Sequence, residues 1–216
     1  MYDRIRVGVI DYGVGNHGSM LRALEQLRVI PVLVTRASEI HQTDRLVLPG
    51  VGNFTDCISL LANAGWIAAL QNDVLGYKKP LLGVCLGMQL LADSSSEGAA
   101  ERQDTPGLGF IPGRVQHISN FVTKLRVPHV GWNCITRALT HDPLFKGIHD
   151  RTDFYFVHSY TFVTEDQNDV LAITDYGAPL TAAVRRGHIT GTQFHPEKSS
   201  RAGLQVLQNF IDTPSC

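Results

Sequence analysis

Charge of one sign is missing from this 216-residue sequence: 19 Lys and Arg stand against 20 Asp and Glu, a formal charge of -1. With no block of like charges it offers neither a nucleic-acid footprint nor a polybasic membrane patch, since both need concentrated positive charge. Long apolar runs are missing too. The best candidates, 58–70 and 81–92, carry Asn63 and Gln89 and fall short of the roughly 18 residues that read as a spanning helix. No secretory signal is recognisable, because Asp3, Arg4 and Arg6 lead into an apolar stretch that Asp11 stops early. Cysteine is sparse. Positions 57, 85, 134 and 216 form no CxxC and no metal-ligand spacing, which predicts a reduced, cytoplasmic protein without a metal. Nor does Cys216 have the residues after it that a prenylation box needs. Internal repeats and low-complexity segments are absent. What is left is a chain of 44% hydrophobic residues whose length suits one domain, 1–216, with partners and substrates recognised locally.

The first half alternates short apolar, β-branched runs with helical patterns, the signature of an α/β fold with a parallel sheet and crossover helices. Strands are predicted at 5–10, 30–34, 46–48 and 81–85, the last running directly into a helix from Leu86. Met20, Leu24 and Leu27 stand at helical spacing. Segment 94–107 is polar, Gly/Pro-containing and aperiodic, and reads as a surface loop. The second half is richer in strands, at 114–118, 153–163, 170–174, 180–185 and 189–194. Leu204, Leu207 and Ile211 then mark a closing amphipathic helix.

Three glycine-bearing turns and one histidine carry the chemistry. Gly13-Val14-Gly15-Asn16-His17-Gly18 is a formal GxGxxG after the first strand, able in principle to hold a pyrophosphate on a helix N-terminus. The acid that would bind an NAD ribose is missing, since Thr35 and Arg36 end the second strand, so only an NADP-binding module survives. Asp11 and Asn16 fit an ordinary tight turn and helix cap equally well. Gly83-Val84-Cys85-Leu86-Gly87 is more specific. A buried strand ending in Gly-x-Cys-x-Gly before a helix is a nucleophile elbow with Cys in place of Ser. The helix behind Cys85 is expected to offer the Leu86 N–H to an oxyanion; a merely structural cysteine would explain neither glycine. His195 stands at a strand's carboxyl end in Gln193-Phe194-His195-Pro196-Glu197-Lys198. Pro196 is expected to keep the chain extended there, so that Glu197 points the same way as His195 and orients its imidazole. Gly50 and Gly52 of Pro49-Gly50-Val51-Gly52 free that loop to supply a second oxyanion donor, although a plain strand-to-helix turn reads the same way.

Taken together, and with Pro128-His129-Val130-Gly131-Trp132-Asn133 and Phe156-Val157-His158-Ser159-Tyr160 in the same order, the chain resembles the triad-type, class-I glutamine amidotransferases. Within them it is similar to the glutaminase subunits that work beside a cyclase in histidine biosynthesis. The resemblance implies a doubly wound, mostly parallel sheet with helices on both faces and an added antiparallel, strand-rich part. It implies hydrolysis of L-glutamine, no cofactor, and a heterodimer in which ammonia passes to a (β/α)8-barrel cyclase. It makes Cys85 the nucleophile, His195 the general base and acid, and Glu197 its orienter. Val51, Gly52 and Leu86 would form the oxyanion hole, and Gln89, His158, Ser159 and Tyr160 would hold glutamine. Asn16, His129, Trp132, Tyr155 and Lys198 would face the cyclase. Val130 and the His17-Gly18 pair depart from the family pattern. These departures admit a paralogous role, ammonia supply for amidino-sugar synthesis.

Overall fold

Each apolar run of the first half is followed by a crossover segment, so the chain returns to begin the next strand in the same direction. The computed structural model describes residues 4–98, 103–139 and 141–214. Its first half contains β1 (Arg6–Ile10), α1 (His17–Glu25), β2 (Ile30–Val34), β3 (Arg45–Gly50), α2 (Phe54–Asn63), α3 (Trp66–Leu70), β4 (Leu81–Cys85) and α4 (Leu86–Gln89). Next come β5 (Ser94–Ser95), β6 (Thr105–Pro106), β7 (Gly113–His117), β8 (His129–Arg137), β9 (Asp153–His158) and β10 (Tyr160–Thr164). The chain closes with β11 (Val170–Asp175), β12 (Pro179–Arg186), β13 (Ile189–Thr192) and α5 (Ser200–Asp212). Asp3, residues 99–102 of the polar segment and Cys216, which figured in the sequence reading, lie outside the described residues.

The main sheet has the order β2-β1-β3-β4-β13-β12-β11-β8-β9. Its members from β2 to β13 are parallel, and from β13 onward every pairing is antiparallel. Strand alternation divides the apolar side chains between two faces. Val7, Val9, Val47, Leu82 and Val84 meet Met20 and Leu24 of α1 and Val206, Leu207 and Phe210 of α5. Ile10, Leu46, Leu48 and Leu81 meet Phe54 and Leu61 of α2 and Trp66 and Leu70 of α3. Each such side chain contributes about 1.5–3 kcal/mol on burial, and a one-residue slip would exchange the two faces, so the register is strongly specified. This is the expected doubly wound architecture with its antiparallel extension.

Three local expectations change. Segment 153–163 is two strands, because the chain leaves the main sheet at Ser159 and β10 joins a second sheet, β10-β7-β5-β6. Aromatic and β-branched residues continue on both sides of Ser159, so nothing local marks the break. Strand β8 was not anticipated, since its run HVGWNCITR mixes polar, small and aromatic residues. The 94–107 segment is not simply a surface loop: Ser94–Ser95 pair with both β6 and β7, and Ser95 is fully buried. Partner strands impose that order, and the segment's own pattern does not. Among the described residues, no helix is long and apolar enough to cross a membrane and no group of His, Cys, Asp and Glu could hold a metal ion.

Candidate active site

Strand β4 ends at the carboxyl edge of the parallel strands, where Gly50 of β3 pairs with Cys85 and Thr192 of β13 pairs with Val84. That edge is where open α/β sheets gather their sites. Cys85 alone makes the change from strand to helix, at φ 56° and ψ -113°. Such backbone costs a non-glycine residue on the order of 1–3 kcal/mol and persists only where packing enforces it. The packing is visible in the flanking glycines. A Cβ on Gly83 would lie 2.6 Å from the Gly87 carbonyl oxygen, and one on Gly87 would lie 1.8 Å from that of Leu48. Both positions must therefore be glycine for the elbow to close.

His195 follows β13, and its Nδ1 lies 2.8 Å from Glu197 Oε1, with both side chains 3% exposed. Pro196 does not keep the chain extended, as expected from sequence; residues Pro196–Lys198 form a 3-10 turn, and that turn delivers Glu197 to the ring. The turn is tied down from two sides. Ser199 Oγ donates to the His195 carbonyl (2.7 Å) and accepts from the Tyr155 N–H (3.0 Å). Helix α5 packs so closely that a Cβ on Gly203 would lie 1.9 Å from the Pro196 carbonyl oxygen. With Nδ1–H donated to Glu197, Nε2 is the atom at which the ring gains or gives up its second proton; it is buried and has no hydrogen-bond partner. Burial opposes charge on this ring, yet the Cys85 sulfur and the Glu197 carboxylate outweigh it and raise the His195 pKa to about 9.

Cys85 and His195 line one cavity of about 300 Å³, together with Val51, Gly52, Leu86, Gln89, Ser159 and Tyr160. The structure thus brings together the residues expected to act on and hold glutamine. Cys85 Sγ lies 3.7 Å from the Val157 carbonyl oxygen and 3.7 Å from Gln193 Nε2. His158 lines the cavity as well, but both its ring nitrogens are committed. Nδ1–H donates to the Tyr160 carbonyl (2.8 Å) and Nε2 accepts from His129 (2.9 Å), so His158 shapes the pocket without a free hydrogen-bonding group for a substrate. Burial pushes the His158 pKa down to about 3 and the His129 pKa down to about 4, which keeps both rings neutral. In the glycine-rich loop, Gly52 takes φ +102° and the Val51 carbonyl accepts from Cys57 Sγ at 3.5 Å.

On the expected partner face, Trp132 is 55% exposed, its ring meets Tyr155 edge-on, and Lys198 lies over the Tyr155 ring. His129 is a correction: it is 2% exposed and points inward. Alternation along β8 sends Val130 and Trp132 outward and His129 to the other side, so the Pro-His-x-Gly-Trp-Asn block cannot face one way as a unit. Asn16 caps α1 by accepting from the Ser19 N–H and lies behind the loop, beside Gly50, His195 and Glu197. The GxGxxG segment is the ordinary turn of the two readings. Gly13 N–H donates to Asp11 Oδ1, and Arg36, the residue an NADP phosphate would need, pairs with Glu39.

Two residues, one lining the pocket and one buried behind Cys85, escaped the sequence reading. Glu97 lines the cavity and accepts from the Phe54 N–H at 3.0 Å, and burial raises its pKa. It sits in the segment read as a loop, where nothing local distinguishes it from the other polar residues. Gln193 is fully buried beside Cys85, and its signal was present: an amide two residues before His195, on a strand end aimed at the elbow.

A family model described as Glutamine amidotransferase class-I matches residues 8–213. The imidazole glycerol phosphate synthase subunit HisH of Rhodospirillum rubrum is 44% identical, over 96% of this chain and 98% of its own. Subunit HisH 1 of the same synthase from Campylobacter jejuni is 41% identical, over 95% of this chain and 98% of its own. The solved structure of PurLQS from Thermotoga maritima has a TM-score of 0.75 at 17% identity, covering 97% of this chain and 98% of that one, a likeness of fold alone. With an elbow cysteine, a carboxylate-bound histidine and near-complete coverage by these relatives, the chain belongs to the class-I glutamine amidotransferase family.

Proposed function

We propose that this chain is the glutaminase subunit of an imidazole glycerol phosphate synthase, hydrolysing L-glutamine and passing ammonia to a cyclase subunit in histidine biosynthesis. The observation that carries the reading is Cys85 on its strained elbow, sharing one cavity with a His195 whose far nitrogen is bound to Glu197. His195 Nε2 takes the thiol proton, and the Cys85 thiolate attacks the carboxamide carbon. The oxyanion is met by the Leu86 N–H, first in α4 and without an intrahelical acceptor, and by the Val51–Gly52 backbone; losing one such donor costs about 10²- to 10³-fold. His195 then protonates the departing ammonia and activates water against the γ-glutamyl thioester. Gln89 uses its amide hydrogens on Tyr160 O and Gln193 Oε1, which leaves its own oxygen to accept from glutamine. Glu97 adds the cavity's carboxylate, suited to an α-ammonium group.

Ammonia released into neutral water would be protonated and lose its nucleophilicity, so a shielded route to the acceptor is needed. The partner is a (β/α)8 cyclase docking on Trp132, Tyr155 and Lys198, and the heterodimer works in the cytoplasm without a cofactor or a metal. A second reading keeps the same pocket and changes the partner: ammonia supply for amidino-sugar synthesis. The numbered names HisH 1 in Campylobacter jejuni and HisH 2 in Pseudomonas aeruginosa favour keeping it, since numbering distinguishes more than one such subunit in an organism. Labelling with a glutamine-analogue alkylator tests the chemistry; stoichiometric modification confined to Cys85 is expected, and none at Cys85 refutes it. Copurified cyclase, assayed with its own acceptor, tests the pathway. Imidazole glycerol phosphate formation supports the first reading, and transfer only to a sugar acceptor supports the second.

A further inference from the structure

One backbone carbonyl dictates the direction of the side-chain amide hydrogen bonds that run through Gln89 and Gln193 to Cys85. Tyr160 O can only accept. The Gln89 side-chain atom 3.0 Å from it is therefore Nε2, and that same nitrogen lies 2.8 Å from Gln193. A nitrogen facing Gln193 at that distance requires an acceptor, so Gln193 presents Oε1 to Gln89 and has Nε2 left over, 3.7 Å from Cys85 Sγ. The same carbonyl accepts from His158 Nδ1–H at 2.8 Å, which makes His158 Nε2 the acceptor for His129 Nδ1–H at 2.9 Å. His129 Nε2 then receives Asn133 Nδ2–H, whose nitrogen also donates to the Asp175 carbonyl at 2.8 Å. With Gln193 fully buried and Gln89 3% exposed, neither amide can turn over without stranding a buried donor.

We infer that Gln193 is a further catalytic residue, one whose side-chain N–H donates to the Cys85 sulfur and stabilises the thiolate. Its amide is held in that sense by Gln89 and the Tyr160 carbonyl, and the inference rests on Cys85 being the nucleophile. The two contacts of the sulfur differ in kind. The Val157 carbonyl 3.7 Å away satisfies only an S–H and opposes a thiolate, whereas the Gln193 N–H favours negative charge on sulfur. When the thiol proton passes to His195 Nε2, the Val157 contact turns unfavourable and the Gln193 contact strengthens. Gln193 keeps its own proton throughout. It thereby acts on the anionic form alone, which places its effect on the nucleophile's ionisation.

The test follows alkylation of Cys85 by iodoacetamide in the full chain across a pH series, read by mass spectrometry of the Cys85 peptide. Gln193→Met keeps the volume and removes the donor. A hydrogen bond to a charged group is strong enough that its loss should move the reactivity curve up by about one pH unit and slow labelling at neutral pH about tenfold. Gln193→Glu replaces the donor by a carboxylate and should slow labelling further as pH rises. A folded Gln193→Met whose curve superimposes on the wild type overturns the inference. Should these variants fail to fold, the unaltered chain still decides the matter by NMR. One Gln193 side-chain amide proton should shift with ionisation of Cys85 and stop shifting in Cys85→Ala; an amide proton blind to that ionisation is the contradicting result. Failure of the proposed function looks different, because wild-type Cys85 would then resist the glutamine analogue whatever stands at 193.

Discussion

His195 carries the charge change on which the pocket depends. Burial disfavours its imidazolium, but Cys85 and Glu197 outweigh burial and raise the pKa from 6.5 to about 9. A histidine raised in this way contributes stability that is complete below pH 6.5 and is lost as pH climbs through about 9. Glu197→Gln removes the anionic acceptor at Nδ1 and should flatten the decline of folding stability across that window. It should also lower glutaminase kcat by about 10²- to 10⁴-fold, the range of acid–base assistance. Urea melts at a series of pH values, beside steady-state rates, check both; an unchanged slope with an unchanged kcat would mean that Glu197 neither orients nor charges the ring. Of the side chains involved, the proposed triad could be read from sequence because each member is flagged by chain-local chemistry: two glycines around Cys85, and Pro196 with Glu197 after His195. Glu97 and Gln193 were not singled out, because their roles come from neighbours 43 and 108 residues away.

Strands and turns place these side chains, and two of them make separable predictions. The elbow tolerates no Cβ on its flanks, and overpacking of this kind costs about 1–3 kcal/mol or more. Gly87→Ala, which drives a methyl to 1.8 Å from the Leu48 carbonyl oxygen, should lower the melting temperature more than Gly83→Ala at 2.6 Å, and both should lose Cys85 reactivity. Equal melting temperatures to wild type would contradict the close packing. Alternation along β8 supplies the second. Trp132→Ala should leave the isolated chain's stability within about 0.5 kcal/mol yet weaken cyclase binding by at least about 2 kcal/mol. His129→Ala should do the reverse, costing about 1–3 kcal/mol by leaving the His158 acceptor buried and unpaired. Thermal melts and titration with the partner separate them, and a binding defect confined to His129→Ala would reverse the assignment of faces. Periodicity exposed the parallel strands and α5 because their apolar side chains are sorted by burial alone. It missed β8 and the break at Ser159 because the polar residues there answer to a pocket and a hydrogen-bond chain.

For the whole molecule, near-neutral charge and modest length pointed to one domain with locally recognised partners, and the sheet explains where that recognition sits. The carboxyl ends of β3, β4 and β13 deliver the Pro49-Gly50-Val51-Gly52 loop, the elbow and the His-Pro-Glu turn to one edge. His158 at the end of β9 and Tyr160 at the start of β10 wall the cavity, while β8 of the antiparallel extension leaves Trp132 exposed. Its partner and acceptor were legible only through resemblance, since net charge and periodicity carry no record of a complementary surface on another chain. The central claim is that Cys85 makes ammonia for a reaction completed elsewhere. The direct test is Cys85→Ala in the complex with its cyclase, with product formation measured from glutamine and, separately, from added ammonium salts. Glutamine-dependent turnover should vanish while ammonium-dependent turnover is preserved; equal loss of both, or survival of the glutamine-dependent rate, would contradict the account.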